Sequence, residues 1–373
     1  MENKIKAIGI DGGYGYMKAV ASQNKIIFQN VAARGIERTI ERSIRDINPS
    51  RSNQLKELDV LVEAEGRKSQ HYFFGDLAFD GLEPSYIWDK DKVNAERSRA
   101  AMLTAMALAS KEQEICYYVM TGLPLTHLPK LKDEYETSLL GTSNITFLGG
   151  PLSGQKKTIH IEKVRPTAQG YGIFLNEILD MNGNPQNKTL IKGQVGVIDV
   201  GMHTVNLTFI RNGEPKDLGS DTMEIGMNHA HQAIRQHIIE NDGYVTIEEV
   251  ESIYPSGVFE SLNDKTINFE QVKQASLEDL ANSVTQTVTR LWNLSAMKKI
   301  IIGGGGGEAV FDLLPFPQKK LAANSQFSNA FGFYKGAVRM LKKKELQEGS
   351  HGQGQSAKFE AFNTETNEPR IIK

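Results

Sequence analysis

The chain has 373 residues, with 43 basic against 45 acidic side chains and a formal net charge of -2. That balance excludes attraction to nucleic acid or to an anionic membrane through bulk charge, and the length predicts two or three domains. An apolar fraction of 39% and a single cysteine describe an ordinary soluble protein without intrachain disulfides, which suits a reducing, cytoplasmic setting.

The start of the chain passes from charged residues into a short strand and shows no signal-peptide core. Strands are expected over 4–11, 16–21 and 25–29, punctuated by a DGG turn and by Asn24. The polar stretch 34–91 reads as an inserted subdomain with a hairpin pairing 58–62 with 71–75. A helix over 94–110 follows, with Asn94 as its cap, and then a buried strand over 114–120. Cys116 sits in that strand as a small core residue. The apolar run 100–109 is too short to span a bilayer.

Alternation over 158–164 predicts a strand, and a helix is expected over 167–181 before the break Asn182-Gly183-Asn184-Pro185. Strands over 193–199 and 204–210 come next, then helices over 225–240 and 276–294. Ser276 and Asp279 have capping-box spacing. A buried strand over 298–302 feeds the run Gly303-Gly304-Gly305-Gly306-Gly307 and a helix that Pro315 stops. A last helix spans 327–343, and the Gly-, Gln- and Ser-rich remainder from 345 is expected to stay disordered. Strands alternating with helices imply α/β layers.

Two segments carry the chemistry. Ile10-Asp11-Gly12-Gly13 and Ile198-Asp199-Val200-Gly201 are each a buried strand ending in an acid, then a tight Gly turn, then a second strand. Backbone N–H groups of a Gly turn form an anion-binding nest, and glycine allows a phosphate to approach closely. The acids suit Mg²⁺, which keeps much of its water shell and takes few carboxylates. Lys18, seven residues after Asp11, is placed to reach a phosphate as a point charge, whereas Asn206 holds the same offset after Asp199. His203 lies inside the second motif.

The run 303–307 follows a strand and opens a helix, a place for backbone approach to an adenosine or α-phosphate. It is neither a P-loop nor a dinucleotide fingerprint, since no Gly-Lys-Ser/Thr is present and position 308 is Glu308. His229, His231 and His237 share one expected helix, but their spacings supply no i, i+4 pair for a metal. The chain has no G-x-S-x-G nucleophile elbow.

At these residues the chain resembles the actin, sugar-kinase and heat-shock-chaperone ATPase superfamily. IDGGYGYMK is similar to its first phosphate motif, VIDVGMHTVNL to its second and IIIGGGGGEAV to its adenosine motif. Within it, the stretches 72–78, 121–125 and 165–171 and the segment Asn329-Ala330-Phe331-Gly332 resemble the ParM-type bacterial actins that segregate plasmids, and their archaeal relatives.

The resemblance implies an α/β, actin-like (ribonuclease H-like) duplicated fold with a nucleotide cleft between two domains. Domain I would take 1–181 and 325–344, and domain II 182–324. Asp11 and Asp199 would stand at the Mg²⁺-water positions. Gly12, Gly13, Tyr14, Gly15 and Tyr16, with Lys18, would wrap the β-phosphate. Gly201, Met202, His203 and Thr204, with Asn206 beyond, would wrap the γ-phosphate. Gly226 to Asn228 would lie beside ribose and purine, and Gly304, Gly305 and Gly306 would back the adenosine. Relatives orient the attacking water with Glu or Gln. Here Arg165 and Thr167 flank Pro166, and Gln169 is the nearest suitable side chain.

The implied function is an ATPase, using ATP or GTP with Mg²⁺, that polymerises into filaments to segregate or position plasmid DNA. It would reach DNA through a DNA-binding adaptor at a centromere, without binding nucleic acid or membrane itself. The alternatives are a cytoskeletal actin for cell shape or organelle positioning, and a non-polymerising small-molecule kinase of the same fold. A chaperone would need a further substrate-binding domain after the ATPase.

Overall fold

The computed structural model describes residues 4–22, 24–38, 55–87, 96–125, 127–241, 243–261, 265–352, 359–362 and 369–372. Two sheets organise them. The chain opens with β1 (Lys6–Gly12), β2 (Tyr16–Ala21) and β3 (Asn24–Gln29), a meander of antiparallel neighbours. Then come β4 (Val31–Arg34), β5 (Leu58–Ala64), β6 (Gln70–Phe74) and β7 (Leu82–Tyr86). After them come β8 (Glu114–Leu123), β9 (Gly141–Phe147) and β10 (Lys156–Ala168). β8 runs parallel to β1, and β10 parallel to β8. The sheet order is β3-β2-β1-β8-β10-β9-β5-β6-β4-β7. The hairpin expected from 58–62 and 71–75 is β5 with β6, and β5 also pairs with β9, so this part of 34–91 extends the same sheet.

The second sheet repeats the plan. It holds β11 (Gln194–Val200), β12 (Val205–Arg211) and β13 (Glu214–Met223) as a meander. A separate small hairpin joins β14 (Val258–Glu260) to β15 (Thr266–Asn268). β16 (Met297–Gly303) lies parallel to β11, and β17 (Lys319–Leu321) parallel to β16. The order β13-β12-β11-β16-β17 therefore matches β3-β2-β1-β8-β10 strand for strand, and sense for sense. The duplication legible in the two acid motifs is a duplication of whole sheets.

The helices are α1 (Glu96–Ala109), α2 (Leu128–Leu139), α3 (Tyr171–Ile178), α4 (Lys188–Ile191) and α5 (Met227–Glu240). They continue with α6 (Ile247–Ile253), α7 (Glu270–Leu291), α8 (Gly307–Phe311) and α9 (Ser328–Gly352). α1 is apolar around most of its circumference and is buried from Ala100 to Ala109, as an all-round apolar helix must be. α3 and α9 join the two sheets. One apolar cluster contains Tyr118 and Met120 from the first sheet, Val195, Val197 and Ile301 from the second, and Phe174 and Phe333 from these helices. The helices cross so tightly that a Cβ on Gly332 would stand 1.7 Å from the Gly172 carbonyl oxygen.

Several expectations need correction. β10 continues through Pro166 to Ala168, and α3 begins only at Tyr171. β9 accompanies β10 no further than Ile161, so Pro166 falls where one edge of the strand is free of β9, a place that tolerates a missing N–H. α7 begins at Glu270, which puts Ser276 inside it, with Oγ donating to the Val272 carbonyl at 2.8 Å. The Ser276–Asp279 capping box is therefore not formed. A capping box does open α6, where Thr246 and Glu249 bond each other's backbone. The expected cap Asn94 lies outside the described residues. Helix α9 runs past 345 to Gly352, continued by the good helix formers Lys344, Glu345, Leu346 and Gln347. Beyond it β18 (Phe359–Phe362) pairs with β19 (Pro369–Ile372). No described helix is long and apolar enough to cross a membrane.

Candidate functional site

The two central strands end at one cavity of about 350 Å³. Asp11 closes β1 opposite Lys18 of β2, and Asp199 closes β11 opposite Asn206 of β12. Equivalent positions of the duplicated sheets thus bring two carboxylates to the same cavity. Both are buried, and Lys18 Nζ lies 3.4 Å from Asp11 Oδ2. Burial, and then the charge of Asp11, push the Asp199 carboxyl up to about 6, while the Asn329 amide and Lys18 pull it back. A pair of acids in this setting gains from a bound cation, so the residues fit an Mg²⁺ held through water.

The hairpin turns meet over the acids. The first is tied down by Asn30, whose N–H donates to the Gly15 carbonyl at 2.9 Å and whose Nδ2 donates to the Gly13 carbonyl at 2.8 Å. In the second, the Gly201 N–H donates to the Thr204 carbonyl at 2.9 Å. Tyr14 and His203 meet edge to face, with ring centroids 5.8 Å apart. Beneath them Gly304 adopts φ +84°, and a Cβ there would stand 2.4 Å from Asp199 Oδ1. A Cβ on Gly305 would meet nothing within 4 Å, so this backbone faces open space.

Gln169 lines the cavity on the turn between β10 and α3 and is 6% exposed. Its N–H donates to the Leu123 carbonyl at 2.8 Å, and its carbonyl accepts from Thr208 Oγ1 of β12 at 3.1 Å. Both sheets therefore fix this turn. A second link spans the cleft further out: Tyr16 Oη donates to Glu251 Oε1 at 2.6 Å, and Tyr86 Oη to Glu248 Oε1 at 3.1 Å. Burial above all pushes the Glu251 carboxyl up, and the Tyr16 hydrogen bond pulls it down. His231 packs against Tyr254, with centroids 5.2 Å apart, and burial drives its imidazole down to about 4, leaving it neutral at physiological pH.

Of the residues expected at the site, Asp11, Gly13, Tyr14, Gly15, Tyr16, Lys18, Gln169, Asp199, Gly201, Met202, Thr204, Asn206, Gly304, Gly305 and Gly306 line this one cavity. Gly12, His203, Gly226 and Asn228 do not. Gly12 is in strand pairing with Met17, and His203 packs on Tyr14. Gly226 precedes α5, and the Asn228 N–H donates to the Met202 carbonyl at 2.7 Å, which stitches the start of α5 to the second turn. Met227, inside the expected 226–228 segment, also lines the cavity, as do His231, Glu251, Tyr254, Glu308, Ala309, Gln326 and Asn329, which no sequence motif marks as lining residues. Thr246-Ile247-Glu248-Glu249 has capping-box spacing and announces α6, the helix that carries Glu251, but not what Glu251 touches.

Two families match in succession. Residues 9–172 match the N-terminal domain of actin-like proteins, and residues 197–315 match the C-terminal domain of the archaeal MreB-like actin homologues. No curated protein matches the chain. Among solved structures, the chain is similar to the subunit of a 15-stranded ParM filament from Clostridium botulinum. The two share 22% identity over 90% of this chain and 99% of that one, with a TM-score of 0.74. An archaeal actin homologue in complex with ADP shares 20% identity over 90% of this chain and 100% of its own, with a TM-score of 0.69. The actin-like protein Alp7A shares 14% over 94% and 100%, with a TM-score of 0.72. The chain has the actin-like fold, with an actin-like N-terminal domain followed by a MreB-like C-terminal domain.

Proposed function

We propose that this actin-like protein binds a nucleoside triphosphate with Mg²⁺ in the cleft, hydrolyses it, and uses the cycle to assemble and release filaments that segregate or position plasmid DNA. The observation that carries the reading is the convergence of Asp11 and Asp199, from equivalent strands of two sheets, on one cavity capped by two Gly-containing turns. Gly12 to Gly15 and Lys18 hold the β-phosphate, and Gly201 to Thr204 hold the γ-phosphate. Gly304 to Gly306 back the nucleoside, with Gly226 to Asn228 behind the second turn.

Asp11 and Asp199 hold Mg²⁺ through water, and the chemistry it supplies is charge neutralisation on the phosphate oxygens. Gln169 orients the attacking water as a hydrogen-bond acceptor, without acting as a strong base. A triphosphate gripped by both turns favours a closed cleft, because it binds the closed arrangement with more contacts. Closure aligns the two halves so that one subunit's end fits the next. Such a head-to-tail contact does not close on itself and generates an open filament. Loss of the γ-phosphate removes a link between the halves and loosens the contact. The net charge of -2 favours an adaptor protein between filament and DNA.

Light scattering against protein concentration, followed by negative-stain imaging, tests this. Filaments should form with Mg²⁺–ATP or Mg²⁺–GTP above a critical concentration that rises when the diphosphate is substituted. A chain that stays monomeric or forms closed dimers up to about 50 µM with every nucleotide, well above typical dissociation constants of specific self-association, would refute assembly.

A further inference from the structure

Asn329, near the start of α9, uses its carboxamide at both ends. Nδ2 donates to Asp199 Oδ2 at 2.7 Å. Oδ1 accepts from the N–H groups of Gly170 and Ile173, each at 3.2 Å. These are donors at the start of α3, a helix without a side-chain cap of its own. The residue is 4% exposed and lines the cavity. The fit is close, since a Cβ on Gly172 would come within 2.8 Å of Asn329 Oδ1. A neutral carboxamide can donate to a carboxylate while accepting from amides, whereas a carboxylate in its place would lack the donor.

We propose that Asn329 is a positioning residue: a bracket that ties Asp199, on the second sheet, to the turn carrying Gln169, so that the arrangement around Asp199 sets where Gln169 stands. The bracket holds the amide of Gly170, the residue directly after Gln169, while Leu123 holds the amide of Gln169 itself. The Gln169 side chain thus departs from a backbone fixed on either side. A shift of Asp199 as the cleft opens is passed through one amide group to that backbone. A helix cap alone would need only Oδ1. The shorter bond, to Asp199, is what makes Asn329 a link between the halves. The inference rests on the reading of Gln169 as the residue that orients water.

The test uses the full chain with Asn329→Ala and Asn329→Asp. Asn329→Ala should slow single-turnover hydrolysis roughly tenfold and leave nucleotide affinity within a few-fold, the pattern of a group that acts on the chemical step. Added to Gln169→Ala it should cause no further loss, because both changes disable the same element. Additive losses would overturn the bracket. Asn329→Asp in its ionised form, and so assayed at high pH, keeps an acceptor for Gly170 and Ile173 but loses the donor to Asp199. Their amide protons should stay protected from exchange while hydrolysis still falls, and wild-type turnover in this variant would overturn the proposal. Asn329→Asp also serves if Asn329→Ala fails to fold. Amide exchange separates the two readings: Gly170 and Ile173 must lose protection in nucleotide-free Asn329→Ala whether or not the protein hydrolyses anything. Unchanged exchange there sinks the bracket alone, whereas absence of nucleotide binding by the wild type sinks the site.

Discussion

Tyr16 Oη donates to Glu251 Oε1 at 2.6 Å, joining the first hairpin of one half to helix α6 of the other across the mouth of the cleft. Removing the hydroxyl leaves a part-buried carboxyl without its donor, at about 1–3 kcal/mol. Tyr16→Phe should therefore ease opening and speed nucleotide release by about fivefold or more. Displacement of a fluorescent nucleotide measures this directly. An unchanged release rate would show that the link does not hold the cleft shut.

The sequence made the two acid hairpins and the glycine run legible because a backbone that must turn tightly beside an acid leaves few choices of residue. Asp11, Asp199 and Gly304 could be named on that ground and now stand around one cavity. Glu251, Tyr254 and Asn329 were illegible as lining residues, for a different reason. Glu251 and Asn329 sit on helices, and Tyr254 directly after one, where the local pattern states only that a helix exists; what they touch depends on how the halves pack. Asn329 meets Asp199 across 130 positions of sequence, and Tyr16 meets Glu251 across 235. The misplaced capping box has the same root, since Ser276 and Asp279 satisfy the local rule while packing starts α7 earlier, at Glu270.

Neighbouring glycines give a paired test. Gly304→Ala would combine a left-handed φ of +84° with a Cβ 2.4 Å from Asp199 Oδ1 and 2.5 Å from the Val200 carbonyl oxygen. Strain of about 1–3 kcal/mol from the backbone alone predicts a melting point lowered by several degrees, together with weakened nucleotide binding. Gly305→Ala meets nothing within 4 Å and should melt within about a degree or two of the wild type, a surface-type change of under about 0.5 kcal/mol. If that open space receives the nucleoside, Gly305→Ala should nonetheless lose nucleotide affinity. Equal affinity in Gly305→Ala and wild type would place the nucleoside elsewhere.

Lys18 is the buried cation beside Asp11, at 3.4 Å. Lys18→Met keeps the length and removes the charge, leaving two acids and the incoming phosphates without their point-charge partner. Nucleotide affinity should fall at least about tenfold, since one well-placed charged contact is worth more than about 1.4 kcal/mol. Titration calorimetry with Mg²⁺–ATP measures the change. Affinity within twofold of wild type would assign Lys18 to the fold alone.

Asp199→Asn should separate stability from function. Burial, and then the charge of Asp11, hold the Asp199 carboxyl at about 6 in the folded protein, well above the ordinary carboxylate range. Below about pH 3 both states are protonated and the group contributes no difference. As pH rises towards 6 the unfolded chain loses its proton first, so the folded state binds more protons and stability falls with rising pH. Above about pH 7 the full penalty is present, on the order of 3 kcal/mol for a shift of this size. Asparagine removes the charge yet still offers Asn329 an acceptor. The nucleotide-free variant should therefore melt higher than wild type at pH 7.5, with a gap that closes towards pH 4. In the same variant hydrolysis should drop at least tenfold, because the carboxylate proposed to hold the Mg²⁺ water shell is gone. Mg²⁺–nucleotide should also raise its melting point less than it raises that of wild type. Thermal melts between pH 4 and 8, with and without Mg²⁺–ATP, test each part. A wild type more stable than Asp199→Asn at pH 7.5 without nucleotide would mean that Asp199 already has a compensating partner in the folded chain. Undiminished hydrolysis in the variant would move the metal-holding role to Asp11 alone.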